Sequence, residues 1–371
     1  MPVLKKIVIQ DFRNIELQEL AFSPNINCIC GGNGEGKTNL LDAIYYLSMT
    51  KSGIQSSDKF NFRHGCKSFS ISGTYDLERE NDVRFCIQVN DGAEKKVRRG
   101  DKAYSRISEH IGILPIVMVS PADTELVSES GDERRRFANA FISQLDHQYL
   151  ADLQQYNRLL TQRNRLLKEP NPEDALLETF EHGLAGPGAR IASAREAFVK
   201  ELLPILQDYY RAISGGREEV SAEYRTDLSK GSLEQIMLAH RDRDKVLGYT
   251  GAGIQRDDFI FTLDGFPIRR CGSQGQQKSF LVALKFAQYE IMKRKWGFPP
   301  ILLLDDLFDK LDMDRVGNLL QMVAGSDFGQ IFISDTDRSR TEAIIDKNTA
   351  DRAYFHTASG IYTRIDGELQ D

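Results

Sequence analysis

Apolar and polar positions alternate in short runs through the first third of the chain. Leu4 to Ile9 alternates weakly, Asp11-Phe12-Arg13-Asn14 turns, and Ile15 to Phe22 alternates again, so two strands precede the largely apolar run Ile26 to Cys30. Ser68 to Tyr75 and Val83 to Val89 are β-rich, and Asn90-Asp91-Gly92 is a hairpin turn into Lys95 to Val97. This stretch predicts mixed α/β structure with an antiparallel portion.

Ile113 to Val119 is a continuous apolar run ending at Ser120-Pro121, after which the period turns helical. Leu153, Tyr156, Leu160 and Leu167 share one helical face, Ala189 to Tyr210 forms another long helix, and Gly183 to Gly188 predicts a break between them. Strand signals return at Asp258 to Leu263. Ile301-Leu302-Leu303-Leu304-Asp305-Asp306 and Gln330 to Ser334 read as fully buried parallel strands. The expected organisation is an α/β core split by a helical hairpin or small bundle: residues 1–123, an insert over 124–248, and 249–371.

Composition narrows the class. With 371 residues, 41% hydrophobic and 27% charged, the chain can bury a sizeable core and suggests two lobes. No stretch approaches the ~18 uninterrupted apolar residues of a membrane span, and Met1-Pro2-Val3-Leu4-Lys5-Lys6 reads as part of the fold, so a cytoplasmic protein is expected. Cys28, Cys30, Cys66, Cys86 and Cys271 lack paired metal spacing and are expected to be buried, reduced and structural. A net charge of −6 argues against a chain that coats nucleic acid indiscriminately.

The run Ile26 to Cys30 leads into Gly31-Gly32-Asn33-Gly34-Glu35-Gly36-Lys37-Thr38, and then into the helix-period segment Asn39 to Leu47. Strand, G-x-x-x-x-G-K-[ST] and helix in that order are a nucleotide-binding P-loop. Glycines free successive N–H groups to turn inward on phosphates, and the helix N-terminus adds partial positive charge. Lys37 would reach the β and γ phosphates, and the Thr38 hydroxyl would take one position on an octahedral magnesium ion. The Ile301 to Asp306 strand has the form that delivers a carboxylate, Asp305, to that magnesium, with Asp306 placed as general base. Upstream, Ser273-Gln274-Gly275-Gln276 opens the apolar helix Ser279 to Met292 and forms a second anion-binding helix start.

Together these motifs resemble an ABC-type ATPase head, in which the signature loop of one subunit (here Ser273, Gly275 and Gln276) closes over the P-loop ATP of another. That resemblance implies an ATP-dependent homodimer and puts Asp309 and Asp312 in the interface loop. Asp11-Phe12-Arg13-Asn14, Gly31 to Asn39, Ser120-Pro121-Ala122-Asp123, Arg134-Arg135-Arg136-Phe137, Arg256-Asp257-Asp258, Ser273 to Gln276 and Leu303 to Asp306 recur in order as in the RecF family, over nearly the whole chain. These bacterial recombination mediators are related to chromosome-maintenance heads but lack long coiled coils. The resemblance implies ATP and Mg2+ as cofactors, an ATP site including Arg13 and Asn39, and slow hydrolysis. It also implies binding to double-stranded or gapped DNA in recombinational repair and replication-fork maintenance, and cooperation with RecR and RecO in placing RecA. The chain departs from the family at Gly253-Ile254-Gln255-Arg256, where Gly-Pro-His-Arg is usual; at Ser334-Asp335-Thr336 it has no counterpart of the switch histidine that transporter ATPases carry.

Basic residues gather in three places: Lys95, Lys96, Arg98, Arg99, Lys102 and Arg106; Arg158, Arg165 and Lys168, on the helical face opposite Leu153 and Tyr156; and Arg134 to Arg136. Each could follow phosphates or simply be a solvated face. Two other readings share the phosphate chemistry: the ATP-binding subunit of a membrane transporter, and a scaffold whose ATP site controls assembly.

Overall fold

In a computed structural model the described residues are 1–92, 94–128, 131–307, 311, 313–323, 328–336 and 351–365. They form two compact units. The first comprises Met1–Thr124, Ala212–Gly216 and Gln274–Asp371; the second comprises Glu125–Arg211 and Arg217–Ser273.

The first unit opens with strands β1 (Val3–Phe12), β2 (Ile15–Ala21) and β3 (Ile26–Cys30), then helix α1 (Lys37–Met49). Strands β4 (Ser68–Asp76), β5 (Val83–Asn90), β6 (Lys95–Arg99), β7 (Lys102–Ala103) and β8 (Ile116–Val119) follow. An antiparallel sheet has the order β2-β1-β4-β5-β6-β7, and the β5–β6 turn carries Gly92 at φ 119°, as Asn-Asp-Gly requires. The apolar run expected from Ile113 becomes strand only at Ile116. Helix α1 buries Leu40, Leu41, Ala43, Ile44 and Leu47, the leucines and isoleucine contributing about 1.5–3 kcal/mol apiece. Its C-terminal end is tied by His110, whose Nε2 lies 2.6 Å from the Leu47 carbonyl. That carbonyl can only accept, so Nε2 carries the proton.

The second unit contains α2 (Glu125–Ser128), α3 (Gly131–Leu145), α4 (His147–Leu166), α5 (Asp174–Ser214) up to Arg211, β9 (Val220–Arg225), α6 (Leu233–Leu247), β10 (Asp258–Leu263), β11 (Phe266–Pro267) and α7 (Ile268–Cys271). It is not purely helical: β11-β10-β9 is an antiparallel sheet, and β9 escaped the sequence pattern because Val-Ser-Ala-Glu-Tyr-Arg is short and half polar. The unit also runs to Ser273 rather than ending at 248, because β10 pairs with β9 from Asp258↔Arg225 to Leu263↔Val220. No break interrupts α5, which spans 41 residues through Gly183 to Gly188. A Cβ at Gly188 would meet Leu233 Cδ2 at 2.4 Å and Tyr156 Cε2 at 3.1 Å, so this glycine admits close approach of α4 and α6 rather than ending a helix. The buried stripe of α4 includes Tyr149, Asp152, Tyr156 and Arg163, with Leu153 and Leu160 only half-buried. Arg163 is fully enclosed and donates to Asp244 (2.8 Å), Glu181 (2.8 Å) and Thr250 (2.7 Å), the pairing a buried guanidinium requires.

The first unit resumes with α8 (Gln274–Trp296), β12 (Ile301–Asp305), α9 (Met313–Val323), β13 (Ile331–Asp335), β14 (Arg352–Ala358) and β15 (Ile361–Ile365). Its second sheet has the order β15-β14-β3-β13-β12-β8, with every pair parallel except β14–β15. Strands β3, β12 and β13 are buried at every position, as a parallel sheet covered on both faces demands. All five cysteines are free thiols. Cys28 and Cys30 are buried as expected, but Cys66 and Cys86 are half-buried and Cys271, ending α7, is exposed. Among the described residues no helix is long and apolar enough to cross a membrane.

Two consequences concern stability. Burial pushes the His110 imidazole below its ordinary 6.5, so the unfolded chain takes up a proton there before the folded chain does. Stability should therefore fall as pH drops below 6.5, by about 1 kcal/mol per pH unit from this group, until the folded imidazole is also protonated. Urea unfolding at pH 7.5 and pH 5.5 checks this: His110→Gln, which keeps a donor for Leu47, should show the smaller difference. The second concerns Gly31, where an added Cβ would stand 2.5 Å from the backbone oxygen of Thr357. Gly31→Ala should cost roughly 1–3 kcal/mol in the same unfolding measurement.

Candidate phosphate site

Helix α1 begins at Lys37 with Gly36 as its cap at φ 110°, and no acid occupies its first turn, so its positive end is not neutralised locally. Gly34 also takes a positive φ of 82°, and these two glycines let the loop fold back over the helix end. Gly32, Asn33 and Gly34 are exposed at the loop tip, whereas Lys37 is 4% exposed. The Lys37 ammonium donates to the carbonyls of Gly31 (2.8 Å) and Gly32 (2.9 Å), which holds it across the mouth of the loop.

The loop is braced by residues that its motif does not announce. The Glu35 carbonyl accepts from Gly360 N (3.0 Å), Thr357 Oγ1 (3.2 Å) and Asn14 Nδ2 (3.4 Å), and its carboxylate accepts from the Ser359 amide. Tyr362 donates its hydroxyl to the Gly36 carbonyl at 2.7 Å. The β14–β15 turn, far along the chain, thus sets the shape of the loop. The local signal for it was a Ser-Gly turn.

Arg13 lies at a positive φ of 54° beside α1. Its guanidinium donates to Asn39 Oδ1 (2.9 Å), Ser52 Oγ (3.0 Å), Asn61 Oδ1 (3.1 Å) and Asp42. Burial pushes the Asp42 carboxyl up, against the pull of Arg13 and the hydrogen bond from Ser52. Asn39 in turn donates to Asn14 Oδ1 at 2.7 Å, so Arg13 and Asn39 form one polar cluster at the start of α1.

Opposite the loop, β12 ends at Asp305. Thr38 donates its hydroxyl to Asp305 Oδ2 at 2.8 Å, joining residues 267 positions apart. Ser334, on the neighbouring strand, donates to Asp305 Oδ1 at 2.5 Å, and its oxygen accepts the Asp306 amide at 3.1 Å. Burial pushes the Asp305 carboxyl up; the hydroxyls of Ser334 and Thr38 oppose this, and the neighbouring Asp306 adds to it. Asp306 leaves the strand at φ 44°, a conformation that turns its half-buried side chain away from the strand's alternation. Thr38 Oγ1 and Asp305 Oδ2 are a hydroxyl and a carboxylate oxygen side by side, a donor set that suits a small hard cation also held by phosphate oxygens.

Ser273 closes the second unit and is exposed, while Gln274 opens α8 in the first unit and Gly275 and Gln276 are half-buried. The first turn of α8 reaches the acid strand: Lys278 Nζ donates to the Asp306 carbonyl at 3.3 Å, and Arg315 donates to Ser279 Oγ at 2.7 Å. Asp309 and Asp312 lie outside the described residues. Gln255 is engaged inside its own unit, accepting from the Tyr156 hydroxyl (2.6 Å) and donating to the Ala252 carbonyl (2.7 Å).

The basic clusters separate by partner. Along β6, Lys96 and Arg98 point to solvent, while Lys95 and Arg99 point the other way. Lys95 pairs with Asp58 at 2.8 Å and donates to the Thr50 carbonyl, and Arg99 pairs with Glu80 at 2.6 Å. Arg134 forks onto Asp258 (2.8 and 3.0 Å), and Arg135 bonds Asp132 and the Asp257 carbonyl, so both are used within the second unit. Arg158, Arg165 and Lys168 are exposed along and just beyond α4.

The RecF/RecN/SMC N terminal domain family matches residues 3–352. A DNA replication and repair protein RecF of Bacteroides fragilis is 44% identical over 365 residues, covering 98% of this chain and 99% of that one. That of Bacteroides thetaiotaomicron is 43% identical over 367 residues, covering 99% and 100%. Among solved structures, the recombination mediator protein RecF-ATP in the RecFOR pathway is similar with a TM-score of 0.88 and 29% identity, covering 98% of each chain. A Smc head domain from Pyrococcus furiosus, at 15% identity and a TM-score of 0.58 over 98% of this chain and 96% of that one, shares the fold. The α/β ABC-type head expected from the motifs is therefore the architecture found, and the chain belongs to the RecF family of DNA replication and repair proteins.

Proposed function

We propose that this chain is a weak, cytoplasmic ATPase of recombinational DNA repair and replication-fork maintenance, which closes as a homodimer on double-stranded or gapped DNA when ATP is bound. With RecO and RecR, the closed dimer helps place RecA. The observation that carries this reading is the 2.8 Å contact between Thr38 and Asp305, which sets the phosphate loop against the acid-ended strand.

In this reading the amides of the loop Gly31 to Gly36 and the ammonium of Lys37 hold the phosphates, and Arg13 keeps Asn39 at the α1 start. Thr38 and Asp305 would hold Mg2+, whose charge would offset that of the phosphates. Asp306 takes the proton of the attacking water. Ser273, Gly275 and Gln276, with Ser273 exposed, serve the ATP of the second copy. Asp309 and Asp312 are proposed for the loop between the two sites. Lys96 and Arg98 on β6, and Arg158, Arg165 and Lys168 by α4, are the exposed cations that would meet phosphates, Lys96 giving up only a solvent-exposed pair with Glu94 (3.4 Å); Lys95 and Arg99 support their strand instead.

Sedimentation with and without ATP-Mg2+ and a DNA duplex tests the scheme. ATP-Mg2+ should double the sedimenting mass and DNA should retain the dimer, whereas a monomer under all conditions would refute it. Asp306→Asn should slow turnover by about 100-fold or more and prolong the DNA-bound dimer. Lys96→Glu with Arg98→Glu should weaken DNA binding and reduce the salt slope by about 2 while leaving ATP affinity unchanged. An unaltered slope in a salt titration would remove this face of β6 from the DNA surface.

A further inference from the structure

Strand β13 runs Ile331-Phe332-Ile333 and then places a hydroxyl, Ser334, at a fully buried position. In the register of the sheet Ser334 stands beside Asp305 on one side and Ile29 on the other. Its hydroxyl is spent on the two acids: it donates to Asp305 Oδ1 at 2.5 Å and accepts the Asp306 amide at 3.1 Å. One oxygen thereby fixes two different things. With Oδ1 held, the Asp305 carboxylate can present only Oδ2 to Thr38, 2.8 Å away. With its amide held, Asp306 is fixed in a left-handed turn at φ 44°, a conformation uncommon for non-glycine residues though more accessible to Asp than to most.

We propose that Ser334 is a positioning residue for the proposed ATPase: its hydroxyl aims Asp305 at the cation and holds Asp306 at the turn from which it acts on water. The inference rests on the ATP-Mg2+ reading of the site. Nothing in it requires Ser334 to touch nucleotide. Removing the hydroxyl leaves the loop, Lys37 and the start of α1 as they are, so metal-free binding of ATP is independent of it, whereas the contribution of the metal and the rate of turnover are not.

The test compares the full chain with Ser334→Ala and Ser334→Thr, using calorimetry of ATP binding in EDTA and across a magnesium titration, together with steady-state turnover. Ser334→Ala is expected to keep its metal-free ATP affinity within about twofold. The magnesium needed for half of the metal-dependent gain in affinity should rise about 10-fold or more, and kcat should fall by a similar factor with KM little changed. Ser334→Thr, which retains the hydroxyl, should recover most of both. Wild-type magnesium dependence and kcat in Ser334→Ala would overturn the proposal, as would an equal loss of metal-free ATP affinity, which marks a hydroxyl that only holds the fold. Absence of ATP binding by the unaltered chain, with or without magnesium, would overturn the reading of the whole site and this inference with it.

Discussion

The site depends on one hydrogen bond between distant parts of the chain, from Thr38 at the start of α1 to Asp305 at the end of β12. It forms only because β3 and β12 flank the same strand, β13, in a parallel sheet whose strands end together: Cys30 lies opposite Asp335, and Ser334 opposite Asp305. A shift of one residue in the β12–β13 pairing would turn Asp305 to the other face of the sheet, and one in the β3–β13 pairing would displace Thr38 from it; each would cost the buried carboxylate a hydroxyl partner. The burial that raises the Asp305 carboxyl is thus the reason Thr38 and Ser334 must both be where they are.

Around that contact, the phosphate loop is shaped as much from outside as by its own glycines. Gly34 and Gly36 are needed for their positive φ. Gly31 answers a different demand, the close passage of Thr357 on β14, and the Glu35 and Gly36 carbonyls are anchored by the β14–β15 turn and Tyr362. On the other flank Arg13 satisfies Asp42, Asn39, Ser52 and Asn61 at once. Breaking such a buried pair by removing one partner typically costs about 3–5 kcal/mol, so the start of α1 is stiff before any ligand contacts it.

Surface charge divides in a related way, between cations left at the surface and cations that pair within the fold. In the sequence Lys95, Lys96, Arg98 and Arg99 form one basic run, but strand alternation puts Lys95 and Arg99 against Asp58 and Glu80. Arg134 and Arg135 likewise serve Asp258 and the Asp257 carbonyl. The sequence holds 54 acids against 48 Lys and Arg, so partners for many basic residues are available.

The loop from Gly31 to Thr38 and the strand from Leu303 to Asp306 were legible because each is a few consecutive residues, whose backbone angles and side-chain types are written in order. The parallel strands Ile301 to Asp305 and Ile331 to Asp335 were legible for the same reason, as unbroken apolar runs. Local pattern misled where tertiary packing set the outcome: Gly188 within α5 permits helix contact instead of a break, and β9 is a strand only because β10 lies beside it. The amino-acid sequence by itself determined the family, the phosphate loop and the pair of acids. Only the tertiary structure decided that Ser334 links those acids, that the β14–β15 turn braces the loop and which basic residues remain exposed, because strand order and register bring together residues separated by hundreds of positions and no local period encodes them.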